Sequence, residues 1–290
     1  MPAEISAPTA YFDITKAPLR ISAVRLKVRD LARMRGFYHS ILGLQVIAEG
    51  AQQVTLGIGE TPLLVLSGDP ALTPNDPQQA GLFHTAFLLP ARADLARWLA
   101  HTIQRGQRLQ GASDHLVSEA LYLADPEGNG IEIYTDRPLA EWHDATGNIR
   151  MATEPLDLQA LLAEAGDTAW AGFPQGGCIG HVHLQVGDTG KADRFYRDII
   201  GLDIPATYPG ASFYGSGGYH HQLAGNIWNA RGAGHRPSGM AGLEAVEITL
   251  NAAELTQVKT RAQVANVPHS AHPTGLTLHD PWGTEITLKA

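Results

Sequence analysis

Several of the thirteen histidines in this 290-residue chain stand where a side chain can do chemistry. His220 and His221 are adjacent in GGYHHQLAGN (217–226). Read as strand, neighbouring side chains point to opposite faces, so one of the pair is expected to look into a site and the other away. His181 and His183, two apart in HVHLQV, share a face. His84 stands among Phe83, Phe87 and Leu88, Glu132 between Ile131 and Ile133, and Glu285 in a similar apolar run. A carboxylate directed inward from such a strand must be paired or ligated, because burying it bare is costly. A histidine neutral near pH 7 can take a proton and return it. Each group also has a purely structural use, as a core histidine bonded to a nearby loop or a tyrosine on a strand surface.

The elements that must position these groups come in repeats. VRDLARMRGFYHSILGLQV starts at Val28 and VGDTGKADRFYRDIIGLDI at Val186, with Asp, Phe-Tyr and Gly-Leu at the same offsets. GLFHTAFLLPARADLARWLA from Gly81 parallels GLEAVEITLNAAELTQVKTR from Gly242, and each leads to Asp-Pro-x-Gly, at Asp125 and Asp280. The spacing predicts an N-terminal domain over 18–150, a linker with a helix over 151–174 and a C-terminal domain over 175–290. Each domain divides again. ISAVRLKV alternates as a half-buried strand, Asp30 is placed to cap a helix whose Phe37 and Leu42 face the core, and QVIAEG, QVTLGI and PLLVLSG follow as strands. The order βαβββ occurs four times, which predicts an α+β fold of four βαβββ modules forming two paired cup-shaped sheets.

Composition narrows the function class. With 44% hydrophobic and 17% charged residues the chain suits a soluble globular protein. A net charge of −8 without Lys/Arg runs argues against nucleic acid or an anionic membrane as partner. Cys178 is the lone cysteine, so no intrachain disulfide forms, which is compatible with a cytoplasmic location. The N-terminal twenty residues lack a signal-peptide pattern, and no stretch of about 18 apolar residues predicts a membrane span. Sheet edges in such a fold leave a homo-oligomer possible.

The βαβββ order, the FY…LGL helices and the DPxGN turns resemble the vicinal oxygen chelate (glyoxalase/bleomycin resistance/dioxygenase) superfamily. HVHLQV (181–186), GGYHH (217–221) and DHLVSEALYLADPEGNGIEIY (114–134) are similar to catechol 2,3-dioxygenase-like type I extradiol dioxygenases. The resemblance covers nearly the whole chain. It implies metal ligands on the first and fourth strands of two paired modules. At those positions module one has Ala23 and an apolar strand, module two His84 and Glu132, module three His181 and the His pair, and module four Ala245 and Glu285. Modules two and three together supply His84, Glu132 and His181, the two-His, one-carboxylate face of non-haem Fe(II), with Mn(II) as the alternative ion. That set requires module two to pair with module three across the linker, leaving one and four as a metal-free cup. A second set, His181, His220 and Glu285, lies inside the C-terminal domain.

The resemblance further implies an acid/base role for His221, with Gln222 where relatives often carry a third histidine. It implies that His115 bonds the substrate hydroxyl or oxygen and that Tyr122 bonds a substrate oxygen, and it places His183 and His220 against the substrate. Gly128, Asn129 and Gly130 shape the turn that aims Glu132. Asp136, Arg137 and Trp142 are expected to close one end of the cup, without a chemical role. The implied reaction is cleavage of a small aromatic diol by O2 beside its two hydroxyls, giving a hydroxymuconic semialdehyde-type product. Because fold alone does not decide function, a glyoxalase-like metal-dependent isomerase and a non-catalytic small-molecule binding protein are the alternatives.

Overall fold

The computed structural model describes residues 10–290. Part of the N-terminal segment read for a targeting signal, 1–9, lies outside the described residues.

Four βαβββ modules are present. Module one contains β1 (Leu19–Val28), α1 (Leu31–Phe37, continued by wide π turns through Tyr38–Leu42), β2 (Gln45–Glu49), β3 (Gln53–Ile58) and β4 (Thr61–Gly68). Module two contains β5 (Gly81–Leu88), α2 (Arg92–Gln104), β6 (Gly111–Asp114), β7 (Ser118–Ala124) and β8 (Gly130–Asp136). The connection carries a short β9 (Glu154–Pro155) and α3 (Leu158–Ala163). Module three contains β10 (Cys178–Gln185), α4 (Thr189–Asp193, with π turns through Arg194–Ile200), β11 (Asp203–Tyr208), β12 (Ala211–Gly215) and β13 (Leu223–Asn226). Module four contains β14 (Gly242–Leu250), α5 (Ala252–Val264), β15 (His269–His272), β16 (Gly275–His279) and β17 (Glu285–Lys289).

The strands form two curled sheets, and each sheet draws one module from each half of the chain. One sheet runs β11-β12-β13-β10-β5-β8-β7-β6-β9, joining module three to module two; the other runs β15-β16-β17-β14-β1-β4-β3-β2, joining four to one. The joins are the antiparallel pairs β10/β5 and β14/β1. The local signals explain the elements. Asp30 and Asp188 accept from Arg33 N and Lys191 N at 3.0 and 2.7 Å, capping their helices. Gly43 and Gly201, at φ 81° and 94°, end them in the left-handed conformation that a side chain would strain. Within α1 and its π turns Leu42 is fully buried, whereas Phe37 is only partly buried and Tyr38 takes the inner position.

The recurring Phe-Tyr and Asp-Pro-x-Gly motifs prove to be partners. The Tyr38 hydroxyl donates to Asp125 Oδ2 at 2.9 Å, and the Tyr196 hydroxyl to Asp280 Oδ2 at 2.9 Å. The other carboxylate oxygen accepts backbone N–H groups of the turn, from Glu127 and Asn129 at Asp125 and from Trp282 and Thr284 at Asp280. These bonds tie module one to two and three to four, while the sheets tie two to three and four to one. Burial raises both Asp125 and Asp280 above the usual carboxylate range, with the turn hydrogen bonds opposing it.

In the second sheet Ala23 and Ala245 are buried on the two joined strands, and nearby charges pair with each other. Lys289 and Arg25 both bond Glu247, the latter at 3.6 Å. No helix among the described residues is long and apolar enough to cross a membrane. The Tyr–Asp bonds predict that Tyr38→Phe, which leaves Asp125 short of a buried donor, destabilises the protein by ~1–3 kcal/mol. Denaturant unfolding of the two proteins checks this; equal stability would show that the bond contributes nothing.

Candidate metal centre

The concave face of the β10/β5/β8 strands builds the site by register. Ala86 on β5 lies directly between Glu132 on β8 and His181 on β10. Its methyl group leaves room above the sheet where a larger side chain would fill it. His84, two residues before Ala86, projects from the same face, opposite His183. The result is a triangle of donor atoms: His84 Nε2 to Glu132 Oε2 is 3.0 Å, His181 Nε2 to Glu132 Oε2 is 3.3 Å, and the two Nε2 atoms are 3.4 Å apart. All three residues are buried. β8 approaches β5 closely because residue 130 is glycine: a Cβ there would stand 2.0 Å from the Phe83 carbonyl oxygen. Gly128, at φ 87°, makes the preceding turn.

The donor set fits a divalent ion. Donors bonded at ~2.1 Å and adjacent in a coordination shell lie about 3.0–3.4 Å apart, the size of this triangle. Glu132 is held well below the usual carboxylate range: burial opposes ionisation, and His181 and His84 outweigh it. Burial lowers His181 to about 4, so its ring is neutral at pH 7 and has a lone pair to give. Among the described residues, this trio is the group of His, Cys, Asp and Glu donors close enough together to hold a metal ion.

The triangle opens into a cavity of about 560 Å³. Tyr122, the cross-strand neighbour of Glu132 on β7, lines it. Its hydroxyl lies 2.6 Å from His115 Nε2, and His115 Nδ1 lies 2.7 Å from the Ala152 carbonyl oxygen. A carbonyl only accepts, so Nδ1 carries the hydrogen; the Nε2 of the neutral ring then accepts from Tyr122. Burial, and after it Glu132, raise the Tyr122 phenol well above its ordinary value, so it stays protonated. His183 also lines the cavity; its Nε2 is buried and has no hydrogen-bond partner. Its ring packs edge-on against Phe83 and Phe213, and Trp228 lies 5.5 Å from it.

The histidine pair departs from the strand reading. His220 and His221 lie in the connection between β12 and β13, which begins only at Leu223, so strand alternation does not govern them. Glycines 217 and 218, at φ 64° and 86°, turn the chain, and Gln222 staples the turn: its Oε1 accepts from Ser216 N at 2.7 Å. His221 lines the cavity with its ring 4.1 Å from that of His181, and burial, then the neighbouring histidines, push its pKa well down. His220 does not reach the cavity. It is fully buried behind His221 against Trp142, bonding His221 through Nδ1 and Asp136 through Nε2, both at 2.9 Å. The expected substrate contact for His220 is therefore corrected.

The second ligand set is not assembled. Glu285 sits in the other sheet beside Ala245, with its side chain 38% exposed, so its carboxylate is solvated and not a buried charge seeking a ligand. Asp136, given no chemical role in the sequence reading, is brought to His220. The signal was there: Glu132, Tyr134 and Asp136 alternate on one face of β8. Trp142 closes the rear of the site, and Arg137 bonds Asp114 and Glu119 at the end of the sheet. The aromatic lining from Phe83, Phe213, Tyr208 and Trp228 was also missed, because it converges from separate strands and loops.

Fold and site together define a protein of paired βαβββ modules with one cluster of two imidazoles and a carboxylate that could hold a metal ion. The chain belongs to the Glyoxalase/Bleomycin resistance protein/Dioxygenase superfamily, whose family model matches residues 20–133 and 178–287. It is 39% identical over 267 residues to a protein named Catechol-2,3-dioxygenase from Bacillus subtilis (strain 168), covering 90% of this chain and 93% of that one. It is similar in fold to glyoxalase I from Zea mays, with a TM-score of 0.58 at 16% identity over 93% of this chain and 92% of that one. A structure described as a putative dioxygenase from Bacillus subtilis gives 0.59 at 16% identity over 94% and 86%.

Two outcomes are expected from this geometry. His84→Ala and Glu132→Ala, after incubation with Fe(II) and gel filtration, retain little iron, whereas Glu285→Ala retains as much as wild type; the reverse pattern would refute the assignment. Cys178, held up to about 12 by burial and then by Asp136, stays a thiol throughout the neutral range. A thiol reagent is expected to label the native protein at pH 8 far more slowly than the unfolded protein; equal rates would show that the thiol is accessible and ionised.

Proposed function

We propose that the protein is a metal-dependent extradiol dioxygenase, opening a small aromatic diol with O2 beside its hydroxyls to a hydroxymuconic semialdehyde-type product. The observation that carries this reading is the single face of two imidazoles and one carboxylate at the floor of a cavity that also holds His221, His115 and Tyr122. The name of the 39% identical relative supports it. His84, Glu132 and His181 would hold Fe(II), or Mn(II) as the alternative. Bound there, the ion supplies Lewis acidity toward the diol oxygens and electron-transfer chemistry toward O2.

The chain's own groups perform the rest. Phe83, Phe213 and His183 present ring faces and edges between which an aromatic diol is held. His221, kept neutral by burial, takes a diol proton and later returns it to the product. Tyr122 donates its hydrogen to His115, so its oxygen lone pairs face the cavity and accept from a substrate hydroxyl. Holding these groups in place before substrate arrives reduces the ordering required at reaction.

The test is oxygen uptake. Protein purified without oxygen is loaded with Fe(II), given catechol and then O2, beside a metal-free control. Coupled oxygen consumption and the yellow ring-opened product are expected only in the loaded sample. Bound iron without oxygen uptake across a series of catechols would defeat the dioxygenase reading in favour of an isomerase, and failure to bind metal would favour a binding protein. His221→Ala is expected to keep its iron and lose roughly 10²–10⁴ in kcat, the usual range for an acid–base group; unchanged kcat would remove His221 from that role.

A further inference from the structure

We infer that Asp136 and His220 are positioning residues that lock His221 in the tautomer whose Nε2 lone pair faces the cavity. The inference rests on the acid–base role proposed for His221. The contacts dictate the tautomer step by step. His220 Nε2 lies 2.9 Å from Asp136 Oδ1. A carboxylate only accepts, so His220 Nε2 carries a hydrogen. In the neutral form of His220 that is the ring's one hydrogen, so its Nδ1 is an acceptor. It faces His221 Nδ1 at 2.9 Å, which must therefore donate. Nε2 of His221 is left with its lone pair, on a ring that lines the cavity.

The surroundings hold this arrangement. Tyr219 donates its hydroxyl hydrogen to the same Oδ1 at 3.2 Å, and Tyr134 in turn lies 2.7 Å from the Tyr219 oxygen. His220 is 0% exposed, with the Tyr219 ring centroid 4.1 Å and the Trp142 centroid 4.9 Å from its own. Asp136 is buried too, so the chain orients His221 and does not conduct protons to solvent. When His221 Nε2 takes the diol proton, the diol oxygen keeps the electron pair. His221 then carries a hydrogen on both nitrogens, and its positive charge faces Asp136 through His220. The proton leaves by the same Nε2 when it is returned to the product. The same logic governs catalytic histidines backed by a buried carboxylate, where a carboxamide at that position leaves the geometry intact but selects the wrong tautomer.

The experiment reads the tautomer directly. Metal-free protein labelled with ¹⁵N-histidine is examined by long-range ¹⁵N–¹H correlation, with the His221 signals assigned by their loss in His221→Gln. Wild-type His221 is expected to carry its hydrogen on Nδ1. In Asp136→Asn the side-chain amide can donate to His220 Nε2, which reverses both rings, so His221 is expected to carry its hydrogen on Nε2. The iron-loaded variant should keep its metal content and KM while kcat falls roughly 10–100-fold, as for loss of a group that orients a functional histidine. Asp136→Glu, which restores a carboxylate, should return the wild-type tautomer and part of kcat. Hydrogen on Nε2 of wild-type His221 overturns the proposal, as does an Asp136→Asn variant that keeps the wild-type tautomer, whatever its activity. The wild-type spectrum decides even if a variant fails to fold. A protein that opens no diol yet shows the expected tautomers in wild type and variant supports the lock while sinking the dioxygenase reading.

Discussion

Three lone-pair donors buried against one another cannot be left without a positive partner. The carboxylate of Glu132 and the Nε2 atoms of His84 and His181 converge within 3.4 Å, away from water that would otherwise solvate them. A proton on one ring satisfies part of this arrangement, and a divalent ion satisfies all of it. The rest of this sheet follows from keeping these donors in place. Module two must lie beside module three so that Ala86 sits between Glu132 and His181, and Gly130 must let β8 approach β5. The connection that forms one wall must also bring the Ala152 carbonyl to His115.

Duplication supplied a frame that can meet this requirement once and dispense with it elsewhere. Each module is tied to two others by different bonds. Sheet hydrogen bonding joins two with three and four with one, while the buried Tyr38–Asp125 and Tyr196–Asp280 bonds join one with two and three with four. The motifs that recur between the halves are therefore the fasteners of the ring of modules, and they carry no chemistry. In the second sheet, alanines stand on the joined strands and charges are neutralised by Arg25 and Lys289. The same architecture is completed there by ion pairs of its own.

The cavity shows a division of labour among histidines that composition cannot express. Five of them line it: His183 packs among aromatic rings, and the other four meet three further environments. His84 and His181 face a carboxylate, His115 is held between a carbonyl and a phenol, and His221 is backed by another histidine and then by Asp136. Imidazole is the same ring in every case. What differs is which nitrogen carries the hydrogen, and that is set by the partner behind the ring.

The sequence by itself determined the modules, because strand alternation, helix caps and turn glycines act over a few residues and leave their mark locally. GIEIYTD and the cap at Asp30 are read from neighbours alone. The repeat made the four-fold order visible, and the His and Glu content of the modules restricted which pairs can bring two imidazoles and a carboxylate together. What the tertiary structure decided lies at longer range. Glu132 and Glu285 are alike in sequence, and only the sheet pairing makes one a buried charge among imidazoles and leaves the other partly solvated. The His220-His221 pair reads as strand until the glycine turn and Gln222 lift it out of the ladder. Asp136 reads as the end of a strand until His220 arrives from 84 residues away. Burial and hydrogen-bond partners are properties of the folded surroundings, and those surroundings are assembled from segments that no local pattern connects.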